Sequence, residues 1–408
     1  MVVIGETIGL WFMTTQLQIP ETRETAAFWV YQFSIISFVL SVISVPYNAS
    51  IIAHEKMSAF AYISIFEAVG KLAIAYLITI SPIDRLVFYA ILMCAVALIV
   101  RFTYGIYCKR HFEECMYHFI FDKNLLKDMF GFAGWNFIGA SSSVLRDQGG
   151  NVVINLFCGP AVNAARGIAF QVNNAVNGFV VNFMMALNPQ ITKQYAAGNR
   201  EYMMTLIFQG ARLSFYMLLL LSLPILVNTH YVLGLWLKIV PEHAVSFVQL
   251  VLVFAMSESI SQPLVTAMLA TGKIRNYQLV VGGLQMMNLP VSYVLLRMGA
   301  VPETVLIVAI AISQCCLAAR LLMLRGMIGL SVRLYLKKVY TNVLMVSFIS
   351  MAVPILFVSH MDETFLDFVV SCAVTVVCTG FTIYYVGCNR TERTFVVEKI
   401  HKIARKQR

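Results

Sequence analysis

The sequence predicts an all-α, polytopic membrane protein of about twelve transmembrane helices, and three observations predict it. First, 59% of the 408 residues are hydrophobic, only 12% are charged, and the mean hydropathy is +0.77. Soluble domains sit nearer about 45–50% apolar and about 25% charged. Second, the apolar runs are continuous over about 20 residues, the length of a bilayer-crossing helix, whereas barrel strands alternate over about 10. Third, the basic residues are distributed unevenly between the two sides of those runs.

The apolar segments are 2–16, 25–52, 58–80, 84–107, 126–158, 160–189, 205–228, 243–269, 275–297, 302–324, 338–359 and 364–387. The first is short for a span. The fifth would be roughly 50 Å long if helical throughout, so it is expected to tilt or protrude. The turn 53–57 is placed in the cytoplasm and the spans alternate from there. Four of the 30 lysines and arginines (Arg23, Arg85, Lys238 and Arg297) then face outward, and four (Lys71, Arg146, Arg166 and Arg212) lie within spans. The other 22, including Lys56, Lys273, Arg320 and seven from Arg390 to Arg408, lie on the cytoplasmic side. That is the positive-inside pattern, and it places the C-terminus in the cytoplasm. It also accounts for the net charge of +10 without nucleic acid, because the charge is spread over six segments. The basic tail has a second reading as a contact for anionic lipid.

The nine cysteines fall mostly inside apolar runs and show neither metal-ligand nor disulfide-framework spacing. The first residues lack the basic region and cleavage site of a secretory signal.

An internal repeat divides the chain. Gly9-Leu10-Trp11-Phe12 recurs as Gly234-Leu235-Trp236-Leu237, and Pro20 is echoed by Pro241. The stretch 46–56 aligns with 263–273, matching Pro46 to Pro263, Ala53 to Ala270 and Lys56 to Lys273. The copies lie an even number of spans apart, so they share an orientation, as in transporters built of two parallel lobes. The expected division is a lobe over 1–124, a second over 125–330, and two extra helices with the basic tail over 331–408. Only eight residues precede the first Gly-Leu-Trp, whereas about 110 precede the second within its lobe, so the chain is expected to start inside the third helix of its first lobe.

The stretch 159–198 is apolar enough to span, yet it carries Asn163, Arg166, Gln171, Asn173, Asn174, Asn177 and Asn182. At about 100° per residue, Asn163, Arg166, Asn173, Asn177 and Asn188 fall within roughly 80° of one another. An unpaired polar group in hydrocarbon costs several kcal/mol, so this face must look at other helices or at water. A wet polar stripe of this kind is what a path for a polar solute requires.

These stretches also resemble a family. FWVYQFSIISFVLSVISVPYNASIIAHEKMSAFAYISI (28–65), FAGWNFIG (132–139) and GPAVNAARGIAFQVNNAVNGFVVNFMMALNPQITKQYAAG (159–198) are similar to Wzx-like polysaccharide flippases of the MOP exporter superfamily. These move O-antigen or capsule repeat units and are often named lipopolysaccharide biosynthesis proteins. The resemblance runs over nearly all the chain and is specific over 24–66 and 125–200. It implies a multi-pass protein of the cell inner membrane with fourteen helices. Two six-helix lobes, as in multidrug-and-toxin extruders, would surround a central cavity, with two further helices behind; twelve helices are read here. It also implies a lipid-linked oligosaccharide on a pyrophosphate carrier as cargo, with polysaccharide polymerase or assembly proteins as partners.

That cargo needs hydrogen-bonding side chains for sugars and fixed cations for phosphate. Arginine suits phosphate because its guanidinium forks onto two oxygens. The candidate contacts are Arg146 and Arg166 for the pyrophosphate, and Asn151, Asn155, Asn163, Asn173 and Asn177 for sugar hydroxyls. Asp147, Asn151 and Asn155 share a helix face. The plainer alternative is that Arg146 or Arg166 pairs with Asp147 or meets backbone carbonyls. Lys71 is a further contact, or else the self-neutralising i,i+4 partner of Glu67. Asp147, Glu67 and Glu258, the last amid Ser257, Ser259, Ser261 and Gln262, are candidate sites for coupling to H⁺ or Na⁺.

Arg212 could snorkel to the surface. Pro46 and Pro263 read as matched hinges or static kinks. Gly149-Gly150 reads as a flex point or a close contact. His54-Glu55 reads as a solvated turn.

No Gly-rich nucleotide loop, HExxH motif or Cys/His cluster occurs, so neither an ATPase nor a cofactor is expected. The outward loops are short, which argues against a catalytic loop. The remaining alternatives are a multidrug or metabolite antiporter, a lipid II flippase, a membrane polysaccharide polymerase or ligase, and a non-functional fragment.

Overall fold

Apolar residues that can satisfy every backbone group within their own segment become helices, and helices make up nearly all of this protein. The computed structural model describes residues 5–11, 24–81, 84–116, 121–237, 239–358, 364–389 and 392–394, with no strand among them. Nine helices among the described residues are long and apolar enough to cross a membrane. That is the form of an all-α, membrane-embedded protein. The chain divides into two compact units, Met1–Phe121 and Asp122–Arg408.

The first unit begins with a π-helical turn, Gly5–Gly9. The rest of segment 2–16 beyond 5–11, the repeat residues Phe12 and Pro20, and the outward residue Arg23 lie outside the described residues. So do Lys238 and the tail residues Arg390 and 395–408. Three long helices follow: α1 (Glu24–Ala53), α2 (Met57–Leu77) and α3 (Arg85–His111). Asp84 starts α3 by accepting the amides of Leu86 and Val87, at 2.9 and 3.4 Å. In α1 the hydroxyls of Ser34, Ser37, Ser41, Ser44 and Ser50 each donate to the carbonyl four residues back. The serines are thereby satisfied without water, as a span requires. The unit's core is small: Ile51, Ile63, Val100, Tyr104, Cys108 and Phe112.

The second unit opens with a helical run, α4 (Lys123–Ala196), that is two helices in space. Gly159 sits at φ 83° and ψ 172°, a conformation glycine alone adopts readily, and Pro160 starts the next helix without needing a donor. We call the arms α4a (123–158) and α4b (160–196). Then come α5 (Arg200–Val227), the short α6 (Thr229–Leu237) and α7 (Ala244–Ala270). Segment 275–297 folds as α8 (Arg275–Met286) and α9 (Asn288–Arg297). They meet at Met287, with Pro290 just inside α9, where a missing donor costs little. α10 (Thr304–Ile328) ends on Gly329 at φ 75°. The last helices are the one-turn α11 (Val332–Tyr335), α12 (Thr341–Val358) and α13 (Phe365–Thr382).

The core runs along α5, α7 and α10, where Ile207, Leu218, Leu219, Phe247, Leu252, Leu264 and Leu324 are almost fully buried. α4a closes on α8 and α9 through small residues. A Cβ on Gly149 would lie 2.4 Å from Leu289 Cδ1, and one on Gly282 would lie 2.9 Å from Ser142 Oγ. Between these contacts, Gln278 donates to Asn136 at 3.3 Å and Ser143 donates to Gln285 at 3.0 Å. Small residues with a few polar bridges are how helices associate where burying apolar surface gives no advantage over lipid.

Candidate functional site

In the second unit, charged residues lie partly or fully buried on α4, α7 and α10. Arg146 points its guanidinium at its neighbour, donating from Nε to Asp147 Oδ1 at 2.9 Å and from Nη2 to Oδ2 at 3.3 Å. The same guanidinium lies over the Phe254 ring of α7, 5.1 Å from its centroid. One turn further along α7 is Glu258, whose charge acts on Arg146.

Arg166, on α4b, is 4% exposed and reaches back to α4a. It donates to the side-chain oxygen of Asn151 and, at 3.3 Å, to the backbone carbonyl of Asp147. Its guanidinium also covers Phe170, 4.4 Å from the ring centroid. Gly150 makes room for it, because a Cβ there would stand 3.1 Å from Arg166 Nη2. Gly149 and Gly150 therefore serve close contact. Arg166 Nε is buried with no partner among the described residues.

Glu258 is half-buried. It accepts a 2.5 Å hydrogen bond from Ser313 on α10. A hydroxyl and amide chain continues from there: Ser313 to Ser257 at 3.0 Å, Gln314 Nε2 to Ser257 at 2.5 Å, and Tyr340 to Gln314 at 3.1 Å. Near this chain lies the residue the sequence reading misplaced. Arg320, counted there as a cytoplasmic anchor, is 2% exposed inside α10, eight residues before the helix ends. The polar groups its charge meets are Tyr277 on α8 and Glu258. Its Nε and Nη1 have no partner among the described residues. Gly329, a C-terminal stop signal two turns downstream, is the cue that puts Arg320 inside the helix rather than at its end.

The other predicted residues divide. Asn163 and Asn173 on α4b are half-buried, each with its amide oxygen enclosed and unpartnered among the described residues. Asn177 is half-buried and Asn155 exposed, whereas Asn151 is engaged by Arg166. Lys71 and Glu67 belong to the first unit and form the i,i+4 pair, Nζ to Oε1 at 2.6 Å, with side chains 50% and 37% exposed. Pro46 is exposed within α1, but Pro263 is buried within α7 against Gly210. The matched prolines thus sit in unlike surroundings.

Arg212 is 4% exposed and pairs with Glu392 at 2.5 Å, a partner 180 residues away. His54 bonds to Glu114 and stacks on Phe112, ring centroids 4.2 Å apart, so this turn is tied to the end of α3 rather than merely solvated.

No family model, curated protein or solved structure matches the chain. Among the described residues, three arginines and two carboxylates on α4a, α4b, α7 and α10, partly or fully buried, leave one net positive charge. Charges removed from water are costly unless paired, and here one cation is in excess. Such a place attracts an anion and repels a cation.

Proposed function

We propose that the protein is a membrane transporter that flips a lipid-linked oligosaccharide across the cell inner membrane by alternating access. The observation that carries this reading is the excess positive charge of Arg146, Arg166 and Arg320 over Asp147 and Glu258 within membrane-type helices. A pyrophosphate carrier is the anion such a site suits, and the enclosed amide oxygens of Asn163 and Asn173 are acceptors for sugar hydroxyls. Cargo would load from the cytoplasm, where the C-terminus lies, and leave outside, delivered to polysaccharide assembly proteins.

Neither ATP hydrolysis nor a catalytic loop enters this reading, so the protein is a carrier rather than an enzyme. Energy comes from an H⁺ or Na⁺ gradient or from downstream consumption of the cargo, with Asp147, Glu258 and Glu67 as the candidate coupling carboxylates.

A drug antiporter of the same architecture would need carboxylates to outnumber arginines at this place, and they do not. The test is complementation of a strain lacking its polysaccharide flippase. Wild type is expected to restore surface polysaccharide. Arg146→Ala, Arg166→Ala and Arg320→Ala are expected to fail at normal membrane levels. Full restoration by all three variants would overturn the anion-site reading.

A further inference from the structure

A second basic cluster lies in the same unit, at the start of α4a and of α8. The start of α4a and the turn between α7 and α8 border an open pocket of about 890 Å³, lined among others by Lys127, Asp128, Phe132, Trp135, Lys273 and Arg275. Three cations face one carboxylate. Among the described residues none of the three is in an ion pair. Arg275 is held over the Trp135 ring, 5.5 Å from its centroid. The turn itself is set: Gly272 has φ 69°, and the Lys273 amide donates to Thr271 Oγ1 at 3.3 Å. α8 begins here, and no side chain caps its first amides. Those amides and the positive end of the helix dipole add to the three cations.

We propose that this cavity is a phosphate-group site that takes the headgroup of an anionic phospholipid. The cavity is larger than a phosphate ion needs. Phe132, Met129 and Phe130 expose apolar surface along the same stretch of α4a, which suits an acyl chain and serves no purpose for free phosphate. The sequence pattern places both elements at the cytoplasmic end of their spans, where anionic headgroups lie. The site is independent of what the transporter carries.

The experiment uses the purified full chain in neutral detergent, with bound lipid counted by native mass spectrometry. Short-chain phosphatidylglycerol is titrated against phosphatidylcholine of the same chains and against inorganic phosphate. Phosphatidylglycerol is expected to bind saturably. Lys273→Gln/Arg275→Gln should weaken it about tenfold or more. Lys337→Gln/Lys338→Gln, which removes the same charge elsewhere, should leave it unchanged. Asp128→Asn should tighten it, a gain that misfolding cannot imitate. Displacement of the lipid by millimolar phosphate would reassign the site to free phosphate and overturn the lipid headgroup. Equal binding of both lipids, or equal loss in the two double variants, would overturn the site altogether.

Discussion

Met57–Ile80 in the first unit and Arg200–Val227 in the second have the same mean hydropathy, yet their apolar windows are 11% and 56% buried. The contrast holds for charge as well. The first unit's Glu67–Lys71 pair is exposed and neutralises itself along one helix. The second unit buries Arg166, Arg212 and Arg320, and groups distant in the chain answer the first two: Asn151 and the Asp147 carbonyl for Arg166, and Glu392 for Arg212. Hydropathy measures exclusion from water, and lipid and protein exclude water alike. It therefore cannot tell a helix packed in a core from one that leaves its sides open. Polar residues make the distinction, because only packing or trapped water can satisfy them.

The comparison can be broken most directly at Glu258. Replacing it by leucine removes the acceptor of the Ser313 hydrogen bond and a negative charge that acts on both Arg320 and Arg146. The expected loss is about 1–3 kcal/mol in thermal denaturation of the detergent-solubilised protein. Glu258→Leu/Arg320→Leu should recover part of it, and a double variant no better than the single would show that the two charges are not coupled.

Close packing gives the next effect. Gly149→Val drives a side chain into Leu289 and should cost about 1–3 kcal/mol. Adding Leu289→Ala should return some of this, which a purely helical-propensity effect would not allow.

The first unit should answer more weakly. Lys71→Met is expected to change stability by less than about 0.5 kcal/mol, the scale of an exposed i,i+4 pair. A loss above about 1 kcal/mol would mean that this pair does more than neutralise itself.

The smallest effect is one of pH. His54 hydrogen-bonds Glu114 and holds its carboxyl below the usual carboxylate range. A carboxylate depressed in the folded state contributes stability above its unfolded value, near about 4.3, and loses it as pH falls through the folded value. The gap in melting temperature between wild type and His54→Ala should therefore be present at neutral pH and close under acid. A gap that stays constant with pH would assign the effect to the stacking on Phe112 instead.

Much of the fold was legible one helix at a time. The apolar runs marked the long helices, and the boundary between segments 126–158 and 160–189 fell at the break in α4. The candidate site was legible in part. Arg146, Asp147 and Arg166 stood out because charges inside apolar runs are rare. Arg320 was misread because it lies near the end of an apolar segment, where a basic residue is normally an anchor. The partnership of Arg212 with Glu392 could not be read at all, since 180 residues separate them and neither carries a local signal of the other.

The sequence alone determined the helical class, the long apolar helices and the presence of intramembrane charge. These follow from composition and from periodicities of a few residues, which act within a single helix. Tertiary structure alone decided which of those charges are buried, which carboxylate answers which arginine, and that the cations outnumber the anions where α4, α7 and α10 meet. Such pairings join residues far apart in the chain, and they are set by which helix faces come together.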